Sequence, residues 1–260
     1  MYRVYIRSWV IIVLFMEFGS KEFPTIILLH GGGLSYWSLS SIVDLLKDDY
    51  HVVTPIIDGH GENGNETFIS IEQSADKLLE YIDKACDGKV FVLGGLSIGA
   101  QIIVEALSKR ENIAEFAILE SPLVLPIKGI TVLTVPTFKL FYGLIKMKWF
   151  SKMQANALYV PEAMFEHYYN DSLKMSKHSL INITLSNGSY TLKNDIGKTK
   201  ANVMIIVGEK ERSIMKKSAQ TLNNKIPNSK LYISKKMGHG ELGLAHPKEY
   251  IKIVKEFISK

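Results

Sequence analysis

Residues 91–101, FVLGGLSIGAQ, place one serine among small residues directly after an apolar run. That run has the continuous apolar character of a strand buried on both faces, and residues 98–110 have the spacing of a helix. Glycine costs backbone entropy in any regular element, so Gly95 and Gly99 need a structural reason. A sharp strand-to-helix turn supplies one, because its neighbours leave no room for side chains. Such a turn presents Ser97 as a nucleophile.

The rest of the chain alternates between short apolar runs and stretches of helical periodicity. Apolar strands without polar alternation, separated by helices, are typical of a parallel sheet covered on both faces. The sequence therefore predicts an α/β fold with a mostly parallel, doubly wound sheet. Ser70 and Gln73 form a capping box that marks one helix start. Strand-forming runs are predicted at 25–33, 51–61, 89–95, 116–122, 201–208 and 230–236, and helices at 35–50, 70–85, 98–110, 213–224 and 246–260.

The interval 123–199 breaks this alternation. It carries two aromatic-rich segments of helical period, 137–150 and 161–178. An insertion of this length between core strands predicts a mostly helical cap, over a core formed by residues 1–122 and 200–260.

Aromatic side chains of the insertion pack the cap and, as a group, can also line an apolar substrate cleft beneath it. The group includes Phe138, Trp149, Tyr168 and Tyr169. Four aromatic residues are predicted to contact the substrate: Trp37, Phe141, Tyr142 and Phe165.

Composition excludes several classes of protein. The chain has 260 residues, of which 47% are hydrophobic, and a net charge of +5, which is ordinary for a globular protein. Its single cysteine, Cys86, rules out an internal disulfide and a multi-cysteine zinc site. The lysines are scattered, which indicates a solvated basic surface and no nucleic-acid partner.

The first residues combine Arg3 and Arg7 with an apolar run from Trp9 to Met16. This run is too short to span a bilayer. A short secretory signal is the alternative, but no small-residue cleavage site follows cleanly. We expect two edge strands that lead into the first core strand, a cytoplasmic protein, and no stable membrane insertion.

A serine nucleophile needs a base, usually a histidine oriented by a carboxylate. His239 lies in a glycine-bounded loop, KKMGHGELG, after the last predicted strand. Loops at the carboxyl ends of parallel strands open on one edge of the sheet, so His239 is predicted to reach Ser97. His30 and His60 also follow predicted strands.

The acid is expected between Ser97 and His239 in chain order. Glu211, just past the strand at 201–208, is the first choice. Glu209 and Glu120 remain alternatives, the latter because its strand ends at the same edge.

The glycine run in LLHGGG (28–33) follows the first core strand. The backbone N–H groups of Gly32 and Ile98 are predicted to bind an oxyanion, with Gly31 or Gly33 in place of Gly32 as alternatives. A phosphate loop is not indicated, because no G-K-[ST] follows and no G-x-G-x-x-G is present.

Four short stretches carry this chemistry in chain order: HGGG (30–33), GLSIG (95–99), GEKER (208–212) and GHGE (238–241). Together they resemble the α/β-hydrolase family, specifically its capped serine esterase and lipase-like branch. DGHG (58–61) is similar to the family's D-x-x-G-H-G loop in shortened form. The resemblance implies that His60 is structural and that His30 supports the oxyanion loop. The family usually has aspartate where this chain has Glu211.

The resemblance implies acyl transfer without a metal or an organic cofactor: Ser97 attacks an ester carbonyl, His239 carries the proton, and water hydrolyses the acyl-enzyme. We therefore expect a carboxylic ester hydrolase for small or medium acyl chains, such as those of a monoacylglycerol. Its expected partner is a small-molecule ester.

Two alternatives stay open. The same residues can act on a thioester, an N-terminal peptide bond or a carbon–carbon bond, or the chain can bind a ligand without turnover. A peptide amine would need cap carboxylates, and lysines outnumber the four acidic candidates there: Glu162, Glu166, Asp171 and Asp195.

Overall fold

A computed structural model describes residues 2–7 and 12–259. Eight strands within these residues form one sheet in the order β1-β2-β4-β3-β5-β6-β7-β8. The pairs β1–β2 and β2–β4 are antiparallel, and all pairs from β4 to β8 are parallel. The strands are β1 Tyr2–Arg7, β2 Ile12–Phe18, β3 Thr25–Leu29, β4 His51–Ile56, β5 Val90–Leu96, β6 Ala114–Glu120, β7 Asn202–Gly208 and β8 Ser229–Ser234.

Helices connect the strands and cover the sheet. Short 3-10 turns precede several of them, and the helix that follows β5 begins directly after Ser97. The α-helices are α1 Ser40–Asp44, α2 Ile71–Ala85, α3 Ile98–Lys109, α4 Ile130–Phe141, α5 Lys148–Ala157, α6 Phe165–Lys174, α7 Lys177–Ser189, α8 Ser213–Lys225, α9 Glu241–Ala245 and α10 Pro247–Ile258.

Both faces of the central strands β3 to β7 are buried, which explains the absence of polar alternation in them. Alternate residues of β3 enter two separate apolar clusters. Ile27 and Leu29 pack with side chains of α2, α3 and α8, whereas Ile26 and Leu28 pack with side chains of α1 and α10. The predicted fold, a mostly parallel sheet with helices on both faces, is confirmed.

Local sequence signals located some elements better than others. The side chain of Ser70 accepts a hydrogen bond from the Gln73 N–H, as the capping box predicts. The two strands expected before the first core strand are β1 and β2, but only β1 lies at the sheet edge, since β2 pairs with both β1 and β4. Residues 8–11 of that prediction lie outside the described residues. The helix predicted over 35–50 is wrong in extent: a 3-10 turn leads into α1, and after Asp44 the chain leaves the helix through turns into β4.

Four helices, α4 to α7, lie between β6 and β7, inside the interval expected to form the cap. The single helical segment predicted over 137–150 is wrong, because the chain bends by 105° between Ile130–Lys146 and Lys148–Ala157. The division into a core and a cap of residues 123–199 stays a prediction.

In the described part of the chain, no single helix is both long and apolar enough to cross a bilayer. The segments Ile130–Lys146 and Lys148–Ala157, which contain α4 and α5, have the length and apolar composition of a membrane span only when they are taken together.

Two glycines allow α3 to pack directly against the sheet. A Cβ on Gly95 would lie 2.7 Å from the backbone of Gly99. A Cβ on Gly99 would lie 2.6 Å from the carbonyl oxygen of Leu29 and 2.7 Å from that of His30. Backbone atoms cannot move aside as flexible side chains do, so any larger residue at these positions pushes α3 away from β3 and β5.

Gly99→Ala is expected to destabilise the protein by about 1–3 kcal/mol, because an added methyl group in a filled space forces the backbone to shift. The free energy of unfolding in urea measures this. Gly143→Ala is the matched control, since no described atom beyond its chain neighbours lies within 4 Å of an added Cβ there. Equal stability of the two variants would contradict the packing described for α3.

Candidate active site

Ser97 occupies a strained turn at the end of β5. Its backbone angles are φ 55° and ψ −115°, a region that costs a non-glycine residue on the order of 1–3 kcal/mol. The Ser97 N–H donates to the carbonyl of Glu120 at 2.9 Å, and the Ser97 carbonyl accepts from the Gln101 N–H at 3.0 Å. These bonds hold the turn between β6 and α3, with the hydroxyl at the carboxyl edge of the sheet.

His239 lies between Ser97 and Glu211. Its Nε2 is 3.0 Å from Ser97 Oγ, and its Nδ1 is 2.7 Å from Glu211 Oε2. With Nδ1–H donating to the carboxylate, Nε2 is free to accept the serine proton. The structure therefore brings together the three residues that the sequence predicts to carry the chemistry.

Glu211 is buried and ionised. Burial opposes ionisation, but the hydrogen bond and charge of His239 outweigh it and hold the pKa of Glu211 below its usual value. Its Oε1 also accepts from the Gly208 N–H at 2.8 Å and from Ser121 Oγ at 2.7 Å.

Ser121 connects Glu211 to the loop between β8 and α9 that carries His239, the histidine loop (residues 235–240). Besides donating to Glu211, its hydroxyl accepts from the Gly240 N–H at 3.2 Å. Ser121 also has a positive φ, of 53°. Sequence reasoning missed this residue, although its place directly after a predicted strand that ends at the active edge was a usable signal.

The two alternative acids have other partners. Glu209 Oε2 accepts from the Lys236 N–H at 2.7 Å. Glu120 is buried, and its Oε1 accepts from the Gly243 N–H at 3.1 Å. Burial raises the pKa of the Glu120 carboxyl to about 7, and the charge of Glu211 acts in the same direction.

The glycine run after β3 forms a tight turn, closed by a hydrogen bond from the Leu34 N–H to the Gly31 carbonyl. Gly33 has φ +75° in this turn, which favours glycine. A Cβ on Gly32 would lie 3.8 Å from Cγ2 of Ile98, so the two residues predicted to bind an oxyanion are neighbours. Because α3 begins at Ile98, the N–H of this residue has no partner within the helix.

Two buried histidines, His30 and His60, make hydrogen bonds to the backbone of the loops that follow β3 and β4. His30 Nε2 accepts from the Ile57 N–H, which leaves Nδ1–H to donate to the Gly31 carbonyl at 2.9 Å. Burial, together with the nearby His60, lowers the pKa of His30 to about 3. His60 Nδ1 bonds the Asp58 carbonyl, and burial lowers its pKa to about 4. Both rings are therefore neutral.

Two cavities meet at Ser97. The first, called the cap cavity, has a volume of about 400 Å³ and is lined mainly from α4 to α7, the helices expected to form the cap. The loop cavity, of about 410 Å³, lies on the side of the histidine loop. Besides Ser97, the cap cavity is lined by residues that include Gly32, Phe138, Ile145, Leu158, Tyr168 and Ile183. The loop cavity is lined by residues that include Tyr159, Lys210, Arg212, Met215, Gly238 and His239.

Two of the four aromatics predicted to contact the substrate pack in the core and line neither of the two cavities. Trp37 is buried, and its Nε1–H donates to Asp171 Oδ2 at 2.8 Å. This bond ties α6 to the loop after β3. Phe165 is buried and stacks on Tyr169.

The other two lie at the cap surface. The Tyr142 hydroxyl donates to the Met175 carbonyl at 2.9 Å, and Phe141 is 52% exposed. Among the described residues, the aromatics that do line the cap cavity are Phe138 and Tyr168. None of the four aromatics predicted to contact the substrate lines either cavity, and their contact with a substrate stays a prediction.

Within residues 2–7 and 12–259, no group of three or more His, Cys, Asp and Glu side chains is arranged to hold an ion.

Glu120 gives the protein a testable pH dependence. The folded state binds its proton more tightly than the unfolded state does, because the pKa rises from 4.5 to about 7. Stability is therefore expected to fall as the pH rises from about 5 to 7, by on the order of 2 kcal/mol from this group. Unfolding free energies in urea at pH 5 to 8 should show a flatter profile for Glu120→Gln than for the wild type.

Glu115→Gln is the matched control, because Glu115 is exposed on the same strand. It should keep the wild-type profile. A Glu120→Gln profile parallel to the wild type at every pH would show that Glu120 titrates normally.

The chain is similar to known proteins over most of its length. The chain is 26% identical over 247 residues to the uncharacterized hydrolase YugF of Bacillus subtilis (strain 168), covering 90% of this chain and 88% of the relative. A bromoperoxidase from Bacillus anthracis superposes with a TM-score of 0.83 at 17% identity, over 100% of both chains. A thermophilic esterase from Thermogutta terrifontis gives 0.76 at 17% identity, over 100% of this chain and 98% of its own.

The structural neighbours differ in chemistry, and at these identities they show the fold alone. The family model described as serine aminopeptidase, S33, matches residues 20–243. Since that match covers most of the chain, the protein belongs to this family of α/β-hydrolases.

Proposed function

We propose that the protein hydrolyses carboxylic esters through an acyl-enzyme on Ser97. The observation that carries this proposal is the continuous series of contacts from Ser97 Oγ through His239 to Glu211, at 3.0 and 2.7 Å. A hydroxyl on a strained turn with a base and an ionised acid in line meets the requirements of an activated nucleophile.

In the proposed reaction, His239 Nε2 takes the proton as Ser97 Oγ attacks the ester carbonyl. The N–H groups of Gly32 and Ile98 bind the negative oxygen that forms. His239 then gives its proton to the departing alcohol. A water molecule, deprotonated by the same nitrogen, releases the carboxylic acid. Glu211 keeps the imidazole in the required tautomer and stabilises its positive charge.

The two cavities suggest how an ester lies in the site. His239 must protonate the leaving oxygen, and it lines the loop cavity. Gly32 lines the cap cavity. We therefore place the acyl chain in the cap cavity and the alcohol in the loop cavity. The apolar walls and volume of about 400 Å³ of the cap cavity suit a small or medium acyl chain.

Aminopeptidase activity, which the family description names, is less well supported. A substrate amine needs a carboxylate near the scissile bond. Among the described residues, the only carboxylate that lines either cavity is Glu211, which already binds His239. The acidic residues expected to serve are paired with lysines: Glu162 with Lys152, Glu166 with Lys148, Asp171 with Lys174 and Asp195 with Lys198.

Hydrolysis of p-nitrophenyl butyrate tests the proposed function. The wild type is expected to turn over this ester and to leave alanine p-nitroanilide intact. Ser97→Ala and Glu211→Gln should each lower kcat/KM by about 10³-fold or more. Glu209→Gln, in the same loop, is the control and should retain full activity. Preferential cleavage of the anilide, or an active Ser97→Ala variant, would refute the proposal.

Acyl-chain selectivity tests the assignment of the cap cavity. Leu180 lines this cavity and is partly buried. A Leu180→Trp substitution should fill part of the cavity and lower the octanoate-to-butyrate ratio of kcat/KM by about tenfold, since each excluded methylene removes about 0.8 kcal/mol of burial. Ile214→Trp, which instead lines the loop cavity, is the control. An unchanged ratio for Leu180→Trp would place the acyl chain elsewhere.

A further inference from the structure

The cap helix α4 is apolar on two faces. Its inner face, with Ile130 and Phe138, lines the cap cavity. Its solvent side, the outer face, also carries the exposed polar residues Thr131, Thr137 and Lys139 but is mainly apolar. The apolar residues are Val132, Leu133, Pro136, Leu140 and Phe141, of which Leu140 is 74% and Val132 72% exposed. A surface helix normally has a polar outer face, so this one departs from the usual pattern.

The apolar exposure continues past the bend into α5. Trp149 is 64% and Met153 54% exposed, and their spacing of four residues places them on one side of that helix. Isolated exposed apolar side chains are common on protein surfaces, whereas concentrations of them mark interaction sites.

The charge of this segment is one-sided. Between Glu120 and Glu162 the sequence contains five lysines and no Asp or Glu. Lys148 and Lys152 form ion pairs with carboxylates of α6 and the turn before it. The other three have no carboxylate partner among the described residues and are exposed: Lys128, Lys139 and Lys146.

We propose that the outer face of α4, together with Trp149 and Met153 of α5, docks on an anionic lipid surface. Exposed aliphatic and aromatic side chains beside unpaired lysines are the composition by which helices lie in a membrane interface, and lysines are drawn to anionic headgroups. A second copy of this chain fits less well, because a symmetric contact would oppose the same lysines in the absence of acidic residues.

The benefit of docking for catalysis rests on the proposed function. A lipid ester that leaves the bilayer at the outer face of α4 has the cap cavity, and Ser97, on the other side of the same helix. The docked cap would thus bring the cavity close to membrane-resident acyl esters, which narrows the substrate class from esters in general to those held in lipid. Docking is peripheral and agrees with the expectation of no stable insertion.

Vesicle binding tests the proposal without turnover when the Ser97→Ala protein is used. Co-sedimentation is measured with vesicles of phosphatidylcholine alone and of phosphatidylcholine mixed with phosphatidylglycerol. We expect binding to the mixed vesicles, weaker binding to the neutral ones, and loss of the difference in 0.5 M salt, where surface charges are screened. Lys139→Gln/Lys146→Gln should also remove the preference for anionic vesicles.

The apolar contribution is tested with Leu140→Ser/Trp149→Ser, which should lower the vesicle partition coefficient by about tenfold or more. The matched control is Ile69→Ser/Ile233→Ser, because both of these side chains are 52% exposed outside the cap. Absence of vesicle binding, or an equal effect of the two double variants, would overturn the proposal. A dimer in analytical ultracentrifugation that only Leu140→Ser/Trp149→Ser dissociates would assign the face to a second copy.

Ester hydrolysis by the same variants tests the docking and the proposed function separately. The outer-face substitutions, made in the otherwise wild-type chain, should leave kcat/KM for p-nitrophenyl butyrate unchanged, which also shows that the variants fold. Failure of the wild type on this ester refutes the hydrolase proposal, and failure of vesicle binding refutes only the docking.

Discussion

The close approach of α3 to the ends of β3 and β5 is the constraint on which the site depends. Added Cβ atoms at Gly95 and Gly99 would meet backbone at 2.6–2.7 Å, so the turn between them has no freedom to relax. Ser97 is held there at φ 55°, with its hydroxyl at the edge where the strand-end loops meet. The strain is offset by the two apolar clusters that fix the sheet and its helices.

The polar half of the site depends on the loops that follow β6, β7 and β8. The Ser121 hydroxyl donates to Glu211 and accepts from the Gly240 N–H, so it fixes the position of the acid relative to the histidine loop. Nearby, Glu120 holds the Gly243 N–H from a buried position. Two adjacent residues at the end of β6 thus support the loop that carries His239, whereas Glu211 bonds the Nδ1 of its ring directly.

The sequence alone predicted those parts of the fold and of the site that depend on local pattern and on the order of residues along the chain. The strands, the helix start at Ser70, and the juxtaposition of Ser97, Glu211 and His239 follow from apolar periodicity and from the rule that parallel strands end at one edge. The aromatics that line the cap cavity do not follow from local pattern, because helical period alone does not say which side chains of α4 face it: Phe138 lines the cavity, whereas Phe141 is 52% exposed. The sequence also did not separate Lys128, Lys139 and Lys146 from the other lysines. Which lysines lack a carboxylate partner depends on the neighbours that the fold brings to them.

The central proposal is that Ser97 is chemically activated, a property that separates an enzyme from a binding protein of the same fold. The most direct measurement is the intact mass of the protein after incubation with a small fluorophosphonate, for the wild type and Ser97→Ala. The account predicts one phosphonyl adduct on the wild type and none on the variant. A correctly folded wild type that remains unmodified would contradict it, and would favour a protein that binds its ligand without turnover.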